Sequence, residues 1–154
     1  MLKRLRSGFT ILEALVVILV VGILASIAVY SLSVTRASNR DAKRISDVSV
    51  IRAALTQHWL QKASYPSTEA VDLGRPGGGA ERLTASGFVA SDSSTSPVFL
   101  EVVPIGPRSG EYYRYHGAAS GYSLQFRTER ATAYGPPGVY YAHTDGVDQE
   151  DVEK

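Results

Sequence analysis

The chain has 154 residues, 16 basic and 15 acidic side chains, a formal net charge of +1, and no cysteine. Near-neutral charge gives no electrostatic case for a polyanion-binding protein, and without cysteine any folded head must be held by packing or assembly rather than by disulfides. Its three histidines, His58, His116 and His143, are too dispersed for metal-ligand spacing, and no Ser/His/Asp or paired-carboxylate motif stands out, so the chain does not read as an enzyme.

Residues 1–8 form a short basic leader with Lys3, Arg4, Arg6 and no acid. Residues 9–32 follow as an apolar run whose one side chain charged at neutral pH is Glu13. As a helix that run would measure about 36 Å, enough to cross a hydrocarbon core of about 30 Å. The basic cluster before it puts Met1 on the cytoplasmic side and residues from Arg36 onward outside.

Three readings compete for this segment. A secretory signal would use Ser26-Ile27-Ala28 as its cleavage site, but the run is long for one. A single-pass anchor has the right length. Neither explains Glu13, because a carboxylate at the centre of a span costs about 2.5 to 3.5 kcal/mol and usually has a partner. Cleavage after Gly8 would create one: the α-amino group of Phe9, largely protonated with a reference pKa of about 7.7 to 8. Glu13 would lie about 6 Å along the helix from it, within reach of its own terminus or that of a neighbouring copy.

Gly8-Phe9-Thr10-x-x-Glu13 before an apolar helix resembles the class III signal of type IV prepilins and type II secretion pseudopilins. The resemblance implies cleavage after Gly8 by a membrane prepilin peptidase, N-methylation of Phe9, and pairing of Glu13 with a neighbouring subunit's N-terminus during assembly. It also implies other pilin subunits, a membrane assembly platform and the lipid bilayer as partners. The precursor would sit in the cytoplasmic membrane with its N-terminus inside, then enter an extracytoplasmic filament. Gly22, Ile23, Leu24, Ala25, Ile27 and Ala28 continue the likeness, whereas Tyr30 stands where many pilins have a kinking proline. Small residues at Ala14, Gly22, Ala25, Ser26 and Ala28 would allow close lateral packing. Losing the leader leaves 13 basic against 15 acidic side chains, a net −2.

Residues 33–63 form the extracytoplasmic half of the helix. Ile45, Val48, Ile51, Leu55 and Trp59 recur at helical spacing as one apolar face, and Pro66 closes the pattern. One helix of about 80 Å is expected over residues 9–62. Residues 64–97 are rich in Gly, Ser, Thr and Ala and read as a loop-rich connection with a short helical piece over residues 80–86. The glycines from Gly74 to Gly79 are not followed by Gly-Lys-Ser/Thr, so they make no phosphate loop, and no cofactor is expected.

Residues 98–144 read as an antiparallel head of three or four strands. Residues 98–103 and 112–116 are strand-like, residues 122–128 alternate with Tyr122, Leu124 and Phe126 on one face, and residues 139–143 add a further strand. That face would cover the helix stripe and leave Ser123, Gln125 and Arg127 wet. Tyr65-Pro66 and Tyr113-x-Tyr115 before Tyr122-x-Leu124 are similar to motifs of small pilins and major pseudopilins.

Residues 145–154 are an acidic end, expected as a solvated tail. Asp145, Asp148 and Asp151 are weak candidates for calcium, but their order lacks a defensible loop spacing. Arg108, Tyr112, Tyr113, Arg114, Tyr115, His116 and Arg127 could form a stacking and phosphate platform for nucleic acid, although tyrosines also fit half-buried strands. The sequence therefore predicts an α+β, pilin-like fold and a structural filament subunit, of a type IV pilus first and alternatively of a type II secretion or DNA-uptake pseudopilus. An anchored extracytoplasmic domain is the third alternative.

Overall fold

The structure is a computed structural model and describes residues 10–154. Gly8 and Phe9, where cleavage and methylation are expected, lie outside the described residues. One helix, α1 (Ile11–Lys62), is followed by eight strands: β1 (Thr68–Leu73), β2 (Arg82–Thr84), β3 (Gly87–Val89), β4 (Val98–Leu100), β5 (Tyr113–Ala118), β6 (Gly121–Thr128), β7 (Gly138–Ala142) and β8 (Val147–Asp148). The strands form a five-stranded sheet ordered β1-β5-β6-β7-β8 and a three-stranded sheet ordered β3-β2-β4, all with antiparallel pairing. This is the expected α+β architecture of a long helix packed on antiparallel sheet.

The chain divides into two compact units, residues 1–36 and residues 37–154. In the first, α1 carries its apolar side chains outward: Ile11, Leu12, Ile18, Val29 and Tyr30 are all exposed. No proline interrupts α1 at Tyr30, and the helix runs through that point unbroken.

In the second unit, Val48, Ile51, Ala54 and Leu55 of α1 share a core with Leu73, Leu83, Tyr113, Tyr115, Tyr122, Leu124, Phe126 and Tyr140. The buried stripe differs at both ends from the apolar one expected. Ile45 is only half-buried and Trp59 is 37% exposed, while Asp41, Arg44 and His58 are buried. Spacings of three and four carried outward from Val48 and Leu55 reach Asp41, Arg44 and His58, so the helical period puts polar groups inward where the head supplies partners. Trp59 instead stacks on Tyr65 at the rim, with ring centroids 4.9 Å apart. After Lys62 the helix ends on Ala63 at φ 52, whose N–H donates to the Trp59 carbonyl.

Three further expectations are corrected. Residues 64–97 hold β1, β2 and β3, and residues 82–84 are a strand where a helical piece was expected. The strand expected over residues 98–103 spans only Val98–Leu100, in the smaller sheet. Of the strands in residues 64–97, β2 and β3 escape detection because they are short, and β1 because a bulge between Thr68 and Val71 breaks its alternation. Gly117 shows how tightly β5 approaches the segment before β1: a Cβ there would come within 2.6 Å of the Pro66 carbonyl oxygen.

The acidic end is docked rather than frayed. Asp148 lies on β8, the Lys154 ammonium bridges Asp148 and Glu150 at 2.7 and 2.8 Å, and the Lys154 carbonyl accepts from Thr144 N–H. Asp151 accepts a hydrogen bond from Ser123 at 2.7 Å, which explains why Ser123, expected wet, is buried.

Candidate assembly site and the polar clamp of the head

Thr10 and Glu13 open α1 together. The Thr10 hydroxyl accepts the Glu13 backbone N–H at 3.2 Å, and the Thr10 carbonyl accepts from Ala14 N–H at 3.1 Å. Thr10 is thus the N-cap and Glu13 stands at the third helical position, the spacing of a capping box. The motif reads locally as a helix start, a role for Thr10 that the sequence analysis missed although Thr-x-x-Glu is its signal. A carboxylate in the first turn is also favoured by the helix dipole. Glu13 is exposed and the described residues place no counter-charge on it.

Beyond Glu13 the helix surface is apolar, and none of its most apolar 18-residue window is buried. At about 100° per residue, Ala14, Gly22, Ala25 and Ala28 fall within one sector of about 120°, with Ser26 outside it. A Cβ on Gly22 would meet nothing within 4 Å. The hydroxyls in this stretch bond backwards along the helix: Ser26 to the Gly22 carbonyl at 2.8 Å, Ser33 to Tyr30 at 2.7 Å and Thr35 to Ser31 at 3.0 Å.

The second polar feature lies within the head. Arg44, 1% exposed, donates through Nε and Nη2 to Glu111 at 2.6 and 2.9 Å and through Nη1 to both Asp41 and Glu129 at 2.8 Å. Asp41 in turn accepts the backbone N–H groups of Glu129 and Arg130. Arg40 and Arg108 also hold Glu129, and Lys43 and the Tyr113 hydroxyl converge on Asp47. Burial works against the Arg44 charge, but the bonds to Glu111, Glu129 and Asp41 outweigh it and raise its pKa. Hydrogen bonding from Arg40 first, then from Arg44 and Arg108, holds Glu129 well below the usual carboxylate range. This clamp ties α1 to the loop after β6 and to the segment before β5, so it positions the head on its helix.

At the acidic end, the Lys154 hydrogen bond first and the Glu150 backbone second pull Asp148 down to about 2. Asp148 also faces His143 Nε2 at 3.1 Å, and Asp151 is engaged by Ser123. Among the described residues no cluster of three or more metal-ligating side chains occurs. The basic and aromatic set is split by the sheet: Tyr113 and Tyr115 are buried, whereas Arg114, His116 and Arg127 face solvent.

Residues 3–29 match the family described as the prokaryotic N-terminal methylation motif. A type II secretion system core protein G from Klebsiella michiganensis is 30% identical over 114 residues, covering 73% of this chain and 75% of that protein. The chain belongs to this prepilin-like pseudopilin family. The same protein from Aeromonas hydrophila is 42% identical over 69 residues, and that match spans 48% of the relative's own length, about half. The counterpart from Escherichia coli is 38% identical over 63 residues, 43% of its length. No solved structure matches the chain significantly. The relatives favour the pseudopilin alternative over the type IV pilus subunit placed first from the sequence, and the family is one of structural subunits rather than enzymes.

Proposed function

We propose that the chain is the structural subunit of a type II secretion pseudopilus. In this reading it enters the cytoplasmic membrane through residues 9–32 and is cut after Gly8 by a prepilin peptidase. It is then N-methylated at Phe9 and leaves the bilayer for an extracytoplasmic filament through an assembly platform. The observation that carries the proposal is an α1 half that exposes an unbroken apolar surface with one carboxylate in its first turn, in a chain related over most of its length to core protein G. Glu13 would pair with the α-amino group of a neighbouring subunit, offsetting the cost of about 2.5 to 3.5 kcal/mol for a carboxylate in an apolar surround. Ala14, Gly22, Ala25 and Ala28 would set the closest helix approach.

Glu13 has two roles to separate, capping and charge. Glutamine preserves the capping-box residue type while removing the charge. Glu13→Gln should therefore insert and be cleaved normally yet assemble at least tenfold less filament, measured by shearing and immunoblot alongside mass spectrometry of the mature N-terminus. Normal filament yield would sink the charge-pair role, and a mature chain retaining Met1 would sink the cleavage step. Long surface fibres without a secretion defect on deletion would return the reading to a pilus.

A further inference from the structure

The outward face of the five-stranded sheet is electrically lopsided. Pairing registers put Arg114 opposite Gln125, Gln125 opposite Tyr141, and Tyr141 opposite Asp148, so one row crosses β5, β6, β7 and β8 on the same side. Arg127, two residues beyond Gln125 on β6, shares that side. Arg114 and Arg127 are exposed, and among the described residues neither has an ion-pair partner. Next to them an open groove of about 450 Å³ is lined by Arg108, Tyr112, Gln125, Arg127 and Val139. The chain end is acidic: from β8 it folds back over the same side of β6 and β5, where Asp151 accepts from Ser123 and Glu153 pairs with His116, leaving Asp145 and Glu150 toward the β8 edge. Residues 145–154 carry five carboxylates, and the one cation among them, Lys154, is already bound to Asp148 and Glu150. Glu150 remains 72% exposed and Asp145 is exposed with no ion-pair partner among the described residues.

We infer that the Arg114 and Arg127 face docks the acidic edge, Asp145 and Glu150, of a second copy of this chain. The inference rests on the filament reading above and specifies how neighbouring heads meet. The occupant follows from charge complementarity: the chain carries both halves, and among the described residues Asp145 and Glu150 of one copy make no ion pair with its Arg114 or Arg127. A contact between two different patches is head-to-tail, and when it does not close into a ring it propagates as a helical fibre. Nucleic acid fits less well, because Glu111 also lines the groove and the chain without its leader is net negative. Tyr113 and Tyr115, two of the aromatics a stacking platform would need, are buried.

The lack of native cysteine makes the test direct. In the full-length chain assembled in cells, Arg127→Cys combined with Asp145→Cys should give an oxidation ladder of multimers. Each single variant should give none beyond dimer. Arg114→Glu with Arg127→Glu should lower filament yield at least tenfold, and adding Asp145→Arg with Glu150→Arg should restore it. A circular dichroism melt of each variant separates lost docking from lost folding, and if the reversed variants misfold the cysteine pair decides alone. No ladder, with helix cross-links between Ala25→Cys and Ala28→Cys copies intact, would overturn the docking while leaving the filament reading standing. Absence of any filament from the unaltered chain would overturn that reading instead. Filaments that retain a single-stranded DNA oligonucleotide, and lose it in the assembled Arg114→Glu/Arg127→Glu variant, would assign the face to nucleic acid and refute the inference.

Discussion

Replacing Arg44 by methionine keeps much of the side-chain volume and removes the guanidinium on which Asp41, Glu111 and Glu129 converge. Breaking a buried ion pair by deleting one partner costs about 3 to 5 kcal/mol, since the other charge is left uncompensated. The lower end applies here. Asp41 keeps the N–H groups of Glu129 and Arg130, Glu129 keeps Arg40 and Arg108, and Glu111 is 21% exposed. A loss of about 3 kcal/mol in a head of this size corresponds to a melting shift of about 10 °C. Near-ultraviolet circular dichroism of the full chain in detergent micelles, with fluorescence of the chain's one tryptophan, Trp59, would follow it. Arg40→Met is the control: its side chain is 29% exposed and it engages Glu129 alone, so solvent screening should leave it with a much smaller melting shift than Arg44→Met. If Arg44→Met shifts melting no further than Arg40→Met, the three carboxylates are not uncompensated by its removal and the clamp is not a stabilising centre.

Acid and alkali should each loosen the head. Glu129 and Asp148 titrate lower in the folded chain than in the unfolded one, so the unfolded chain takes up protons first. Their contribution is present at neutral pH and lost as pH falls from about 4 toward 2, and an unchanged melting temperature at pH 2.5 would contradict this. Burial first, and for Tyr113 its bond to Asp47 as well, raises the Tyr113 and Tyr115 phenols, so stability should also fall as pH rises past about 10. Gly117→Ala should cost about 2 to 4 kcal/mol, combining overpacking with loss of the hydrogen bond from Tyr115 to the Pro66 carbonyl, and should register as a lower midpoint in urea.

The long helix and the central hairpin were legible because their periods are strong: 3.6 over Val48, Ile51 and Leu55, and 2 over Tyr122, Leu124 and Phe126. The clamp was not, for a reason visible in the same stripe. Asp41 and Arg44 fall on the inward face when the period is continued, yet charged residues are almost never fully buried unless paired, and their partners Glu111 and Glu129 lie more than sixty residues away. A shorter separation, 28 residues between Ser123 and Asp151, also hid the docking of the acidic end. Composition makes residues 145–154 look solvated, and only the fold brings Ser123 and Thr144 against them. The short strands β2 and β3 are too brief for alternation to signal, whereas β4 lies within the expected strand over residues 98–103 and is only shorter than expected.

The backward-bonded hydroxyls of Ser26, Ser33 and Thr35 bear on what kind of solvent α1 can tolerate. Each donor carries its own acceptor one turn away, so the helix asks nothing of its surroundings for these groups and is equally at home beside acyl chains or beside another protein. Exchanging one environment for the other would leave their hydrogen-bond count unchanged, so within residues 11–35 the side chains left to register the change are Glu13, the Tyr30 phenol and the Ser31 hydroxyl.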